Sequence, residues 1–494
     1  MIPDRDLHLD VCADINDDNA VDKPEEACGV FGIYAPEQEV AKLTYFGLYA
    51  LQHRGQESAG IATFDGADLY EHRDMGLVSH VFNPEILAKL SGQLAIGHTR
   101  YSTTGASRRC NAQPIIVETR LGKLALAHNG NLVNTAELQA YLLEKGCELS
   151  TTIDSEMIAL IIREEVNAGK DWIEATISAC QRCVGAFSLT IATPDGIMGI
   201  RDPHGIRPLV LGSMPDHIGH YVVASETCAL DIIGADYERD VNPGELLWID
   251  DEGVKSINWA LKVQPKLCIF EMIYFARPDS WVHNESLYSY RKRLGKQLAA
   301  ESCHDADIVI GVPDSGIPAA IGFSEASGIP YAEGLIKNRY VGRTFIQPTQ
   351  EMREAGIRMK LNPLRDVLKG KRVIVIDDSI VRGTTSRKLV KALRDAGASE
   401  IHMRISSPPV THPCFYGIDT DTQDQLIAAT KSVAQIATQI GVDTLAYLSW
   451  EGMLSATEKD PQNFCSACFT GDYPVQIPDG VKRSKLMLEQ VGVK

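Results

Sequence analysis

The first half of the chain mixes short apolar runs with longer amphipathic stretches. Four apolar runs are each long enough for one strand: residues 28–35, 94–101, 123–128 and 186–192. Over residues 154–168 the apolar side chains recur with a helical period, and Asp154 stands where an N-cap is favoured. Because strands and helices do not alternate strictly, this half is predicted to be an α+β layered domain.

From about residue 262 the pattern changes to alternating strands and helices. The runs 307–312 and 371–376 are apolar after their charged first residues, as expected for strands that are covered on both faces. A helical pattern follows over 387–396, and Gly397 marks its end. This half is therefore predicted to be an α/β domain with a mainly parallel sheet. The predicted segments are 1–27, 28–260, 261–470 and 471–494.

Composition and charge narrow the classes of function. The chain has 494 residues, of which 44% are hydrophobic and 23% charged, enough for the cores of two or three domains. A formal net charge of −17 argues against broad binding to nucleic acid or to anionic membranes. No uncharged apolar run reaches about 18 residues, so no transmembrane helix is expected. We expect a cytoplasmic protein.

The acidic residues are concentrated at the start of the chain. Residues 1–27 hold nine acids and two strong bases, Arg5 and Lys23, with few large apolar residues. This composition is typical of an unstructured segment. A signal peptide would have a basic start and an apolar centre, and a transit peptide would be rich in arginine. The segment is therefore a solvated tail or a propeptide, and the residue that follows decides between them.

Cysteine use indicates chemistry rather than disulfides. The chain has 12 cysteines and no secretion signal, so a disulfide framework is not expected. The spacing CxxC occurs at Cys180/Cys183 and at Cys465/Cys468. The first pair lies on a predicted helix, and we expect it to pack in a core. For the remaining cysteines, the useful question is whether they bind metal or act as nucleophiles.

Five short motifs in the first half occur in the order found in class II glutamine amidotransferases. They read CGVFGI, HRGQ, GHTR, AHNGN and TIDS, at residues 28–33, 53–56, 97–100, 127–131 and 152–155. Each is short, but together they make residues 28 to about 255 resemble that family. The resemblance implies an N-terminal-nucleophile hydrolase domain with a four-layer αββα core and Cys28 as its nucleophile.

Cys28 has suitable chemistry for this role if it begins the mature chain. A thiol with a pKa of about 8.5 is only partly ionised at neutral pH and needs a base. The α-amine of a terminal cysteine, with a pKa of about 7.7–8.0, can be that base, whereas an internal amide nitrogen cannot. We therefore expect cleavage between Ala27 and Cys28, which makes residues 1–27 a propeptide. The alternative is a buried core cysteine at the start of a strand.

The resemblance also assigns the groups that bind glutamine. Asn129 and Gly130, which the pattern places on the turn after a strand, match the oxyanion hole. One such donor typically contributes about 10²–10³ in rate. Arg100 matches the clamp for the α-carboxylate, a geometry that suits a guanidinium, and Asp154 matches the partner of the α-ammonium. The structural alternatives are an Asn-Gly β-turn, a surface ion pair for Arg100 and a helix N-cap for Asp154.

In the second half, an apolar run is followed by two acids, a loop with Gly and Thr, and a helix. This order binds a sugar phosphate at the carboxyl end of a parallel sheet. Backbone N–H groups of the loop can hold a phosphate monoester, and the acids can bind ribose hydroxyls directly or through Mg²⁺. Residues 373–385 resemble the fingerprint of type I phosphoribosyltransferases, the alternative being a generic loop with exposed acids. The expected phosphoribosyl pyrophosphate ligands here are Asp377, Asp378, Ser379, Arg382, Gly383, Thr384, Thr385 and Ser386.

Two further segments complete this predicted site. Ser315, in the sequence PDSG, matches a position that the family uses near the metal and pyrophosphate, so the expected Mg²⁺ set is Ser315, Asp377 and Asp378. Residues 337–348 form a basic loop that contains Lys337 and Arg343. The resemblance implies that this loop is a lid that keeps water away from the reacting sugar. The alternatives are a turn serine and a solvated loop.

Together the halves resemble a family in which a class II glutaminase is joined to a type I phosphoribosyltransferase. The resemblance implies that glutamine, phosphoribosyl pyrophosphate and water give phosphoribosylamine, glutamate and pyrophosphate, the first committed step of purine synthesis. It also implies a homotetramer inhibited by purine nucleotides. Other class II amidotransferases lack the 373–385 motif. The alternative from another class is a non-catalytic regulator of transcription that binds phosphoribosyl pyrophosphate. Such a regulator would have a DNA-binding module and would lack a nucleophile, whereas this chain is acidic and has Cys28.

One branch of that family carries a propeptide and a 4Fe–4S cluster, and this chain resembles that branch. Four thiolates suit such a cluster. Spacing does not select the quartet, so zinc and four unrelated core cysteines stay as alternatives. The residues that match the ligands are Cys268, Cys414, Cys465 and Cys468.

Overall fold

The computed structural model describes residues 28–101, 106–338, 361–418, 420 and 422–478. Residues 29–258 form two antiparallel sheets. Their strands are β1 (Gly29–Tyr34), β2 (Ser58–Phe64), β3 (Leu69–Met75), β4 (Leu94–Arg100), β5 (Ile115–Thr119), β6 (Gly122–Leu132), β7 (Gly185–Thr193), β8 (Gly196–Arg201), β9 (Val210–Ser213), β10 (Tyr221–Ala224), β11 (Asp236–Asp240), β12 (Glu245–Asp250) and β13 (Gly253–Asn258). In the described residues one sheet has the order β11-β9-β10-β1-β4-β2-β3, and the other has the order β13-β12-β8-β7-β6-β5.

These two sheets pack face to face, and helices cover their outer faces. Val30, Ile96, Ala127 and Leu247 are buried between the sheets. The helices of this half are α1 (Val40–Ala50), α2 (Val78–Val81), α3 (Pro84–Leu87), α4 (Thr135–Glu144), α5 (Asp154–Asn167), α6 (Trp172–Arg182) and α7 (Cys228–Asp231). Helix α1 packs on the first sheet, and α5 and α6 pack on the second. The αββα order that the resemblance implied is confirmed.

The second half is built around a parallel sheet. The strands of this half are β14 (Leu267–Cys268), β15 (Trp281–Val282), β16 (Glu285–Ser286), β17 (Ile308–Gly311), β18 (Leu335–Lys337), β19 (Leu361–Pro363), β20 (Arg372–Asp377), β21 (Glu400–Ile405), β22 (Thr444–Tyr447) and β23 (Phe464–Cys465). Its helices are α8 (Leu287–Ser302), α9 (Ile317–Ser327), α10 (Arg365–Leu368), α11 (Thr384–Asp395), α12 (Ile427–Thr430), α13 (Val433–Ile440), α14 (Trp450–Ser455) and α15 (Ala467–Thr470). None of the helices in the described ranges has both the length and the apolar character needed to cross a membrane.

Strands β17, β20, β21 and β22 lie in this order, and all their pairings are parallel. Val309 and Ile374 are buried on the face that packs against α8 and α9. Ile310 and Val375 are buried on the opposite face with side chains of α11 and α13. Cover on both faces explains the apolar centres of β17 and β20, and the predicted parallel sheet is confirmed.

The helix predicted over 387–396 begins three residues earlier, at Thr384. Its first turn, Thr384 to Ser386, carries polar side chains, so the apolar period shows only from the second turn. Gly383 precedes it with φ of 80°, a left-handed conformation that favours glycine. The loop before α11 is therefore shorter than the sequence pattern predicts.

Helices α8 and α9 cross with their backbones in near contact. A Cβ at Gly322 would lie 1.9 Å from the carbonyl oxygen of Lys292. We predict that Gly322→Ala pushes the helices apart and costs about 1–3 kcal/mol, which thermal unfolding would report as a lower Tm. Gly32→Ala is the matched control, because its nearest contacts would be an ordinary 3.5–3.6 Å. Equal Tm values for the two variants would contradict this account.

Candidate active sites

Cys28 lies immediately before β1 and is 7% exposed. Its Sγ donates a hydrogen bond to the carbonyl oxygen of Tyr101 at 3.4 Å. Burial raises the pKa of the Cys28 thiol to about 12, although the nearby Arg100 guanidinium acts in the opposite direction. At neutral pH the sulfur is therefore protonated, and it needs a base to become a nucleophile.

Asn129 and Gly130 were predicted on a turn, and this prediction is wrong. Both lie inside β6, where they pair with Ser188 and Phe187 of β7. Gly130 has φ of 150°, and a Cβ there would lie 2.0 Å from the carbonyl oxygen of Ala186. Because glycine allows this backbone, β6 continues past residue 128, where the apolar pattern stops.

The Asn129 side chain is fully buried. Within the described residues, neither its amide nitrogen nor its amide oxygen has a hydrogen-bond partner. A buried polar group without a partner costs about 1–3 kcal/mol, so this amide is unusual in a folded core. Its Nδ2 is a hydrogen-bond donor that none of the described residues uses.

Arg100, the last residue of β4, is only 2% exposed, so the surface ion pair considered for it is wrong. Its Nη1 donates to the carbonyl oxygen of Ala106 at 3.3 Å and lies 3.7 Å from Glu57 Oε2. Arg100 also faces the Cys28 thiol closely enough to act on its pKa. A buried guanidinium beside the thiol is well placed to bind a carboxylate.

Asp154 is the first residue of α5, and the cap residue is Ile153, whose side chain makes no capping bond. The predicted N-cap role of Asp154 is therefore wrong. Its carboxylate turns towards β6, where Oδ2 accepts the N–H of Leu132 at 3.0 Å. The Oδ1 atom lies 3.5 Å from His128 Nδ1. Burial alone would raise the pKa of Asp154, but His128 and the Leu132 N–H outweigh it and lower the pKa.

This lowered pKa gives Asp154 a pH-dependent contribution to stability. The stabilisation is complete above the ordinary carboxyl pKa and is lost as pH falls through the lower folded value. We predict that Asp154→Asn lowers Tm by a constant amount from pH 7 to about pH 4, and that the difference from the original chain narrows below that. Thermal unfolding of both proteins across this range checks the prediction. A difference that already narrows between pH 7 and pH 5 would contradict it.

The predicted phosphate-binding residues lie at the carboxyl ends of β17 and β20. Asp377 ends β20, and both it and Asp378 are buried. Ser315, from the loop after β17, donates to Asp378 Oδ1 at 2.5 Å. Ser379 donates to Asp378 Oδ2 at 2.8 Å. The structure therefore brings the three predicted Mg²⁺ residues to one edge of the sheet.

Residues 382–386 span the end of the loop after β20 and the first turn of α11, where backbone N–H groups attract anions. Lys337, at the end of β18, is 2.6 Å from Asp314 Oδ2, beside Ser315. Arg343 and most of the predicted lid lie outside the described residues, as do residues 1–27 and the end of the segment 471–494.

The four predicted cluster cysteines come together in one apolar region. Cys268 on β14 pairs directly with Cys465 on the parallel strand β23. Cys414 is buried with them, and Cys468 packs against the same group. Burial raises the pKa of Cys268 to about 12. Among the described side chains, no three His, Cys, Asp or Glu are arranged to hold a single metal ion.

The other CxxC pair packs as predicted. Cys180 is buried in α6, and Cys183 follows the last residue of that helix. The Sγ of Cys183 donates to the carbonyl oxygen of Ala179. The predicted core role of this pair is confirmed.

A buried ion network beside Cys28 was missed by sequence reasoning. Arg54 belongs to the motif HRGQ, but its partners Glu226 and Glu271 lie 172 and 217 residues away along the chain. All three side chains are almost completely buried. The signal that could have found it is a lone glutamate inside each of two apolar segments, 222–230 and 267–276, because buried carboxylates need partners.

Comparison with known proteins covers both halves. Residues 98–231 match a glutamine amidotransferase domain, and residues 285–406 match a phosphoribosyl transferase domain. The amidophosphoribosyltransferase of Synechococcus elongatus is 69% identical, over 99% of this chain and all of that protein. That of a Synechocystis species is 70% identical over 95% of each chain. The Bacillus subtilis glutamine phosphoribosylpyrophosphate amidotransferase, solved with ADP and GMP, covers 94% of this chain at 48% identity, with a TM-score of 0.87 and all of its own chain aligned.

These similarities extend over both sheets of the first half, the parallel sheet and the cysteine-containing segments at the junction. The identity is high over nearly the whole length of each relative, and the fold agrees with that of a solved relative. The chain therefore belongs to the amidophosphoribosyltransferase family.

Proposed function

We infer that this protein transfers the amide nitrogen of glutamine to C1 of 5-phosphoribosyl 1-pyrophosphate. The products are 5-phospho-β-D-ribosylamine, glutamate and pyrophosphate, and the reaction is the first committed step of purine synthesis. The observation that carries the inference is the joining of two sites in one chain. One site has a buried thiol with the Arg100 guanidinium close enough to act on it, and the other has buried carboxylates at the ends of parallel strands.

For the glutamine half-reaction we propose Cys28 as nucleophile and mature N-terminus. Its own α-amine takes the thiol proton, which the raised pKa makes necessary. Attack on the glutamine amide gives a tetrahedral oxyanion, held by Asn129 Nδ2 and the Gly130 N–H. Collapse releases ammonia and leaves a thioester, which water hydrolyses to glutamate. Arg100 binds the glutamine α-carboxylate, and Asp154, whose lowered pKa keeps it ionised, binds the α-ammonium.

For the second half-reaction we propose that the loop 382–386 binds the 5-phosphate. Asp377 and Asp378 bind the ribose hydroxyls, and the same carboxylates with Ser315 would hold Mg²⁺. The hard oxygen donors of these three residues suit that ion, which when bound would neutralise charge on the pyrophosphate. Lys337 and Arg343 belong to the lid over the pyrophosphate.

The strand of the proposed oxyanion hole contacts residues 415–417 of the second half of the chain. Asn131 Nδ2, on the strand of the proposed oxyanion hole, donates to the carbonyl oxygen of Phe415 at 3.0 Å. A Cβ at Gly417 would lie 3.0 Å from Gly130. We propose that ammonia passes internally across this junction to the sugar, which would protect it from protonation and loss to solvent.

We further propose that Cys268, Cys414, Cys465 and Cys468 bind a 4Fe–4S cluster. Four soft thiol donors in apolar surroundings fit such a group. We also propose a homotetramer inhibited by purine nucleotides.

Replacing Cys28 tests the nucleophile. We predict that Cys28→Ala abolishes pyrophosphate release with glutamine but retains it with ammonia, because ammonia bypasses the first site. Intact mass of the original chain should correspond to a start at Cys28. Glutamine-dependent activity equal to that of the original chain would refute the assignment, and another mature start would refute the processing.

Asn129→Ala tests the oxyanion hole. We predict that kcat with glutamine falls by about 10²–10³, with a small change in KM and no loss with ammonia. Asn134→Ala is the matched control, because that buried amide already bonds to the N–H of Val184 and the carbonyl of Arg182. Equal losses of kcat in the two variants would exclude a specific role for Asn129.

Iron and sulfide analysis of anaerobically purified protein tests the cluster. We predict about four iron and four sulfide per chain, and loss of both in Cys468→Ser. Cys180→Ser, in the other CxxC pair, should keep them. Iron-free protein, or iron retained in Cys468→Ser, would contradict the assignment.

A further inference from the structure

A buried arginine holds the main chain of Cys28. The Nε of Arg54 donates to the carbonyl oxygen of Cys28 at 3.3 Å. Its Nη2 donates to Glu271 Oε1 at 2.6 Å, and its Nη1 pairs with Glu226 Oε1. One guanidinium therefore joins the backbone of the nucleophile to two carboxylates, one from each half of the chain.

Glu226 collects donors from several segments. Besides Arg54 it accepts from His53 Nε2 at 2.7 Å. It also accepts from the Arg277 N–H at 2.9 Å and from Ser280 Oγ at 2.8 Å. Burial alone would raise the pKa of Glu226, but His53 and Arg54 outweigh it and hold the pKa well below its usual range. The carboxylate therefore stays ionised, and its pairing with Nη1 holds the Arg54 guanidinium in place.

Glu271 opens the π-helical turn Glu271–Phe275, three residues after Cys268. Its Oε1 also lies 2.5 Å from Nη2 of the fully buried Arg207. Cys268 itself donates its N–H to the carbonyl oxygen of Ile206 at 3.0 Å. A continuous set of buried contacts thus runs from the cysteine quartet through Arg207, Glu271 and Arg54 to Cys28.

We propose that Glu226 and Glu271 are positioning residues for the glutamine half-reaction, acting through Arg54 on the carbonyl of Cys28. The proposal rests on Cys28 being the nucleophile. After cleavage, Cys28 has a peptide bond on one side only, and its first hydrogen-bonded strand begins at Gly29. Groups that fix the Cys28 carbonyl therefore fix the position of its Cα and the Cα–C axis about which its α-amine and its thiol turn together.

The test variant is Glu271→Gln, which keeps the shape and removes the charge. We expect kcat with glutamine to fall at least tenfold with KM changed less than threefold. The rate of covalent labelling of Cys28 by iodoacetamide should fall in parallel, while synthesis with ammonia stays within about twofold. Glutamine kinetics and labelling rates within twofold of the original chain would overturn the proposal. Equal losses with glutamine and ammonia would also overturn it, since they indicate a general structural role.

Two further variants separate positioning from folding. Glu245→Gln removes another buried carboxylate, which pairs with Arg239 and Ser256 in a separate network, and it should leave the labelling rate unchanged. Arg54→Lys keeps the charge but loses the forked geometry, so it should reproduce the Glu271→Gln defect. Combining Arg54→Lys with Glu271→Gln should add less than threefold, because both act through one contact. Additive defects, or a labelling loss in Glu245→Gln equal to that in Glu271→Gln, would overturn the proposal.

The same measurements distinguish failure of the proposed function from failure of the positioning inference. Labelling of the original chain, located by peptide mass, reports whether Cys28 is the reactive thiol at all. If another cysteine carries the glutamine-protectable label, the nucleophile assignment fails. If Cys28 is labelled and Glu271→Gln labels at the same rate, only the positioning inference fails.

Discussion

Burial of the Cys28 thiol is the constraint on which the rest of the glutaminase half depends. A sulfur shielded from water stays protonated at neutral pH, and it becomes reactive only if a base is supplied within bonding distance. A free α-amine meets that need at no cost in space, because it belongs to the same residue. Arg100 and the unpaired amide of Asn129 gain strength from the same shielding, since their interactions act where the effective dielectric is low.

The junction between the halves connects the cysteine region of the second half to the proposed glutamine site of the first. Two segments of the second half that approach the proposed glutamine site, 268–271 and 414–417, also carry proposed cluster ligands. One reaches the carbonyl of Cys28 through Arg54, and the other touches the strand of Asn129 and Gly130. Order in the cysteine region is therefore linked to the geometry of a site on the other side of the interface.

The layers of the fold could be predicted from the sequence because the apolar pattern within each segment is enough to indicate a strand or a helix. Continuous apolar runs indicate strands covered on both faces, and β17 and β20 have that environment. The roles of the site residues were harder to predict, because one side chain can have two structural interpretations. Asp154 opens a helix and has the chemistry of an N-cap, yet its carboxylate bonds to the Leu132 N–H and lies near His128, which are neighbours only after folding.

The strand through Asn129 and Gly130 was missed because Asn-Gly favours turns in isolation. Its position is fixed by pairing with β7, whose residues follow more than fifty positions later. Glu226 and Glu271 could not be matched to Arg54 for the same reason, since no local signal joins residues 172 and 217 positions apart. Long-range partners decide the chemistry here, whereas short-range patterns decide the architecture.

The unpaired amide of Asn129 has a consequence for how this sequence can change. A buried amide without partners makes the empty protein less stable than an apolar side chain of similar size would. Selection for thermal stability alone would therefore favour replacing Asn129, whereas the proposed role in binding a developing negative charge would keep it. In a thermostabilised or ancestral version of this enzyme, position 129 should resist the substitutions that improve the surrounding core.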